Sequence, residues 1–220
     1  MNRPRRLVVV TGTGTEVGKT WVGARALHHL RLHGLRVAAR KPVQSFESGI
    51  GPTDAELLAG ATGEDPDEVC PRHRWYEAPM APPMAAATLG RPAFRLADLL
   101  AEIRWPDAMD VGLIEAAGGP RSPLASDGDT VDLVRELHPD LVVLVADAGL
   151  GAINAVRLAV APFEPLAPIV VMLNRFDAGE ALHRNNRAWL TDRYGLWLMT
   201  DAAALAELVR ADPSNRPSAS

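Results

Sequence analysis

The stretch TGTGTEVGKTW, Thr11 to Trp21, follows the apolar run LVVV and precedes a segment with helical periodicity. Its end, Gly18-Lys19-Thr20, suits an anion cradle, yet the common phosphate-loop spacing puts a glycine five residues before Gly18, where Thr13 stands. A cradle needs glycine backbone that can approach the anion, successive N–H groups at a helix N-terminus, and a lysine for the terminal phosphates. Gly12 and Gly14 supply the flexible entry, Gly18 the close approach, Lys19 the charge and Thr20 a hydroxyl for Mg²⁺. The extra residue lengthens the loop and removes none of these groups.

Outward from this loop, short runs rich in Val, Ile and Leu recur at 7–11, 37–43, 111–116, 141–147 and 169–174. They lack period-2 polarity and so read as strands covered on both faces. Amphipathic stretches at 21–33, 54–61, 94–104, 130–137, 153–163 and 180–193 read as the intervening helices. Strand alternating with helix implies a doubly wound, mostly parallel sheet, the three-layer α/β/α arrangement of P-loop NTPases. No break in composition divides the 220 residues, so 1–211 is expected to be a single P-loop α/β domain, with the Pro- and Ser-rich 212–220 as a disordered tail. APMAPPMAA (78–86) reads as a Pro-rich connection, and Trp75, Tyr76 and Met80 to Met84 as packing over the nucleotide side of the sheet.

An apolar fraction of 47% suffices for one substantial core. The net charge of -4 gives no footprint for nucleic acid, and the dense basic run from Arg3 to Arg6 reads as a solvated tail. The lone cysteine, Cys70, excludes an internal disulfide, has no partner for a metal knuckle, and suits a reducing cytoplasm. No stretch approaches the roughly 20 apolar residues that span a bilayer. His29 and His33 have metal-ligand spacing on a helix, but with no carboxylate nearby in sequence they read as a solvated face.

Gly12, five residues, then Gly18-Lys19-Thr20 resembles the loop of the dethiobiotin synthetase family, which typically runs TGTDTEVGKT; Gly14 stands where the family usually has Asp. KPVQS (41–45) is similar to the family's KPV-x-S, TDAELL (53–58) to its acidic helix start, and EAAGG (115–119) to its EGAGG loop. GAIN (151–154) resembles the start of its substrate-binding helix, and Asn174 its adenine-reading position.

The resemblance implies ATP-dependent ring closure of 7,8-diaminopelargonate with CO2, or bicarbonate, to dethiobiotin through a carbamate and a carbamic phosphate. ATP and Mg²⁺ are the implied cofactors. Nucleotide contacts are implied for Thr15, Glu16, Val17, Gly18, Lys19, Thr20, Trp21, Asp54, Glu115, Ala116, Ala117, Gly118, Asn174 and Arg175. Thr20, Asp54 and Glu115 are the implied metal ligands, Lys19 and Lys41 the catalytic cations, and Ser45 a contact to the carbamate region. Gly151, Ala152 and Asn154 are implied to meet substrate held mainly by the other subunit of a homodimer.

The residues carry part of this themselves. Phosphoryl transfer demands positioned cations more than covalent help, and in doubly wound sheets the carboxyl ends of the strands line the ligand crevice. Lys41, Glu115 and Asp147 are therefore expected to converge beside the loop. Asp54 alone equally suits the first turn of a helix, whereas Glu115, after the buried run VGLI, is costly without a cation or donor. Two departures stand out. Ala116 replaces a family glycine and adds a methyl group that a positive φ would penalise, and Phe46-Glu47 follows Ser45 where the family continues with Gly.

Other functions remain open on the same fold. A synthetase acting on a related diamine would share every motif. A deviant Walker ATPase switch would carry an extra lysine early in the loop, where Thr13-Gly14-Thr15 stands, and a cobyrinate-type amidotransferase would need a glutaminase domain beyond these 220 residues.

Overall fold

In the computed structural model, which describes residues 3–211, the valines of the opening run form the centre of a six-stranded sheet. β1 (Arg6–Gly12) ends in the glycine-rich loop, from which α1 (Lys19–Leu32) departs. The chain continues through β2 (Val37–Arg40), β3 (Gln44–Ser45), α2 (Asp54–Thr62), α3 (Pro66–Val69), β4 (Trp75–Tyr76), α4 (Pro82–Thr88), α5 (Leu96–Glu102) and β5 (Val111–Glu115). β6 (Pro123–Ala125) and β7 (Gly128–Asp129) form a short antiparallel pair. Then follow α6 (Thr130–Leu137), β8 (Leu141–Asp147), α7 (Ala152–Val160), β9 (Ile169–Asn174), α8 (Ala181–Tyr194), β10 (Leu198–Met199) and α9 (Ala202–Ala211).

The large sheet has the order β10-β9-β8-β1-β5-β2, and every pair in it is parallel. The chain moves from β1 out to β2, fills the gap with β5, and then crosses to β8 on the other side of β1. β1 is thus the switch point, where a doubly wound sheet opens its crevice. Along β1, Val8 and Val10 pack on one face with Leu27 of α1, Leu58 of α2 and Leu205 of α9. Leu7 and Val9 pack on the other with Leu99 of α5 and Val134 of α6. Each such side chain contributes about 1.5–3 kcal/mol when fully buried. That exceeds the roughly 1 kcal/mol range of strand propensity, so two-sided burial holds β1 in place. The fold is a three-layer α/β/α sandwich.

Helix starts follow local chemistry. Thr53 caps α2 and exchanges hydrogen bonds with Glu56, and Gly63, at φ 83°, ends it. Asp129 caps α6. α1 differs: it begins at Gly18 with no side-chain cap and no acid in its first turn, which leaves its N-terminal N–H groups and positive dipole end to the loop.

Several expectations need correction. Residues 78–86 are not merely a connection, because Pro82 and Pro83 open α4; the N–H that proline lacks is one for which the first turn has no intrahelical acceptor. The basic run is no solvated tail, since Arg3 donates to the carbonyls of Leu137 and His138 and pairs with Asp140, while Arg6 opens β1 and donates to the Val209 carbonyl. His33 does have a carboxylate: its Nε2 lies 3.2 Å from Glu207 of α9, a helix outside the segments read from periodicity. Trp75 and Tyr76, read as packing residues, are buried in opposite cores. The tail expected at 212–220 lies outside the described residues. Among those residues no helix is long and apolar enough to cross a membrane.

Candidate nucleotide and substrate site

Sheet order alone brings three chain-distant segments together. β2, β5 and β1 are neighbours, Glu115 lies in register with Val10, and Lys41 follows directly on β2. Lys41 is 2% exposed and Glu115 wholly buried. The Lys41 ammonium donates to Glu115 Oε1 at 2.6 Å and lies 2.8 Å from Asp54 Oδ2, while the Thr20 hydroxyl is 2.6 Å from Asp54 Oδ1 and 2.9 Å from Glu115 Oε1. The backbone N–H of Lys41 donates to the Val69 carbonyl, which fixes the base of its side chain.

The electrostatics follow from this crowding. Burial opposes the charge on Lys41, but Asp54 and Glu115 more than offset it and hold the ammonium above the ordinary lysine value. Burial also opposes the charge on Asp54, yet Lys41 and Thr20 hold its carboxyl below the ordinary range. Glu115 goes the other way, pushed up by burial and by Asp54 despite Lys41. Burial and the neighbouring Lys41 lower Lys19, whose ammonium donates to the Gly14 carbonyl at 2.9 Å.

The loop is clamped from the far side of β1. Asn174, at the tip of β9, donates to the Val17 carbonyl, and Arg175 donates to the Glu16 carbonyl while pairing with Asp147 at 2.9 Å. Glu16 and Arg175 both have positive φ, 60° and 55°, a conformation uncommon for non-glycine residues. Gly18 is required outright: its φ is 92°, and a Cβ there would lie 2.1 Å from the Asn174 amide nitrogen. A Cβ at Gly14 would meet nothing within 4 Å, so the family's aspartate would fit.

Two cavities meet at Gly18. The larger, about 640 Å³, is lined by Thr15, Glu16, Gly18, Lys19 and Thr20 at one end, by Lys41, Asp54 and Glu115, and by Ala117 and Gly118. At its other end lie Gln44, Ser45, Phe46 and Met80, and Ser45 donates to the Met80 carbonyl at 2.6 Å. The second, about 420 Å³, has Trp21, Asn174 and Arg175 on its walls together with Phe176, Thr200 and Asp201.

Not every expected residue reaches these cavities. Val17 contributes its carbonyl to the clamp, and Ala116 lines neither. Its methyl belongs to the second core, its N–H donates to Val10, and its φ is not positive, so alanine is accommodated without strain. Asp147 does not join Lys41 and Glu115; β8 lies on the opposite side of β1, and its carboxylate is taken by Arg175 and the Gly149 N–H. Gly151, Ala152 and Asn154 lie at the start of α7, outside both cavities within this chain. Sequence reasoning missed Thr200 and Asp201, although an acid just before an apolar helix is a capping signal, and Asp201 does accept from the Ala204 N–H. It also missed Ser122, which accepts from the Gly119 N–H and underlies the turn at Gly118.

The donors fit a hard divalent cation. Thr20, Asp54 and Glu115 offer oxygen only, the preference of Mg²⁺. Glu115 Oε2 is buried with no partner among the described residues, and burial pushes its carboxyl up, so a cation beside it would favour the charged form.

Comparison with known proteins agrees with this geometry. A family model described as an AAA domain matches residues 6–190. The ATP-dependent dethiobiotin synthetase BioD of Anaeromyxobacter dehalogenans is 36% identical over 224 residues, covering 94% of this chain and 95% of that one. Those of Rhodococcus jostii and Corynebacterium efficiens are 40% and 41% identical over 70% of this chain, and 66% and 68% of theirs. Among solved structures, cobyrinic acid a,c-diamide synthase from Mycobacterium smegmatis with bound ATP analog and magnesium superposes with a TM-score of 0.55 at 19% identity, covering 94% of this chain and 93% of that one. FtsY from Elizabethkingia anophelis does so with a TM-score of 0.54 at 15% identity, covering 95% and 66%. These two likenesses bear on the fold alone, whereas the Anaeromyxobacter relative aligns across nearly its whole length: the chain belongs to the ATP-dependent dethiobiotin synthetase family.

Proposed function

We propose that this chain catalyses ATP-dependent ring-closing carboxylation of 7,8-diaminopelargonate to dethiobiotin, with ATP, CO2 and the diamine as its small-molecule substrates. The observation that carries the reading is the meeting of Lys41, Thr20, Asp54 and Glu115 beside the loop, in a cavity that extends to Ser45. One amine of the diamine adds to CO2 and loses a proton, giving a carbamate. Lys41, kept charged by its two carboxylates, neutralises the carbamate oxygen as that oxygen attacks the γ-phosphorus and ADP departs. Lys19 exchanges the Gly14 carbonyl for the terminal phosphates. The second amine then attacks the carbamoyl carbon and gives up a proton, phosphate leaves, and the cyclic urea closes. Thr20, Asp54 and Glu115 would hold Mg²⁺, which would supply charge neutralisation for the phosphoryl group.

Asn174 has its amino group on Val17, so its amide oxygen is the part left to accept from a base amino group, as adenine offers. Glu16 and Val17 act through the loop, and Trp21 and Arg175 wall the base cavity. Gly151, Ala152 and Asn154 serve the site of the partner in a homodimer, and the enzyme works in the cytoplasm. Support for the dimer comes from the family and from Leu150, 93% exposed at the start of α7.

A coupled assay of ADP release tests the reading. Release should require both diaminopelargonate and bicarbonate, and should fall about 10³-fold in Lys41→Ala. Nucleotide hydrolysis indifferent to both co-substrates overturns it.

A further inference from the structure

Gln44 occupies the variable position of the KPV-x-S segment and carries a buried polar group with no partner among the described residues. The residue is 1% exposed, yet it lines the larger cavity between Lys41 and Ser45 in sequence. Its Oε1 accepts from the Ala55 backbone N–H at 3.0 Å, in the first turn of α2 beside Asp54. Because an N–H can only donate, this bond fixes which end of the amide is oxygen. The other end, Nε2, is buried and has no acceptor among the described residues. An unmet buried donor is destabilising, and this one is held in one orientation by the Ala55 link.

We propose that Gln44 is a substrate-binding residue whose Nε2–H donates to the CO2-derived oxygen of the amine-bound carboxyl group. The inference rests on the function proposed above. Phosphate oxygens have their own donors in the loop and Lys19, whereas Gln44 belongs to β3 with Ser45, at the cavity end walled by Phe46 and Met80. An oxygen on the reacting carboxyl group is the acceptor that the chemistry brings into this end. Lys41 then meets that group as a charge and Gln44 as a directional donor, which fixes the face presented to phosphorus.

Gln44→Glu is the discriminating variant, because it keeps an acceptor for Ala55 and deletes the donor. Gln44→Met deletes both at similar volume. Each is compared with wild type for the KM of bicarbonate, of diamine and of ATP, for melting temperature, and for the ¹³C carbamate signal of enzyme with diamine and ¹³C-bicarbonate without nucleotide. A charge-assisted hydrogen bond is worth roughly 10- to 100-fold in affinity. The expected result is a rise of that order in the bicarbonate KM and a weakened carbamate signal in both variants, with the ATP KM within about twofold of wild type and the melting temperature lowered in both, in Gln44→Met by the unmet Ala55 N–H and in Gln44→Glu by the buried charge. Unchanged bicarbonate KM in Gln44→Glu overturns the proposal and assigns Gln44 to anchoring α2. An equal rise in the ATP KM overturns it as well. Wild-type turnover that ignores diamine and bicarbonate instead removes the functional reading on which it rests.

Discussion

On the β5 and β2 side of β1, Lys41 and Glu115 are all but sealed from solvent and wired to Thr20 and Asp54. On the β8 side, α7 begins at Gly151 with no side-chain cap, and the leucine before it stands in water. The first flank is assembled by the fold of one chain, since strand order alone makes its members neighbours. The second lines neither cavity of the chain, and the proposed homodimer assigns it to the site of a partner copy. A single sheet thus preorganises the charged cluster, whereas the proposed diamine contacts of the second flank depend on a partner copy.

The contrast breaks most severely at Lys41. Lys41→Met leaves Glu115 buried without its cation, so unfolding should become easier by about 3–5 kcal/mol, read as a lower denaturant midpoint. Leu150→Asp tests the other flank. It should raise the diamine KM about 10-fold while the ATP KM holds, with the dimer weakened in sedimentation; an unchanged KM alongside a monomeric protein would separate association from substrate binding. Alkali sharpens the first flank. A lysine whose value rises on folding stabilises fully below its ordinary 10.5 and loses that contribution as pH climbs through and beyond it. Melting temperature should therefore fall above about pH 10.5 in wild type, and less steeply in Lys41→Met. The smallest effect is expected of Gly14→Asp, which restores the family residue in open space: stability should stay within about 0.5 kcal/mol, measured by denaturant unfolding.

The same asymmetry explains what the sequence revealed. Central strands such as LVVLVAD are buried on both faces, so their composition declares them. Glu115 and Lys41 were legible because a charge at the end of such a strand needs a partner. Their partnership with Thr20 and Asp54 required the order of strands, which periodicity does not encode, and Asp147 was misplaced for the same reason. The helix α4 was hidden by prolines that mark both connections and helix starts. Arg3 and His33 were misread because their partners, Asp140 and Glu207, are remote in sequence. Gln44 gave no signal at all, since a glutamine becomes informative only when its unmet donor is seen in a buried place.

The clasp between Asn174, Arg175 and the carbonyls of Val17 and Glu16 ties the floor of the base cavity to the walls of the phosphate loop. Any substitution that reshapes the tip of β9 to welcome a bulkier base also slackens two consecutive peptide units of the cradle. On the proposed function, base preference and triphosphate grip would therefore be inherited together, and neither could drift far without dragging the other.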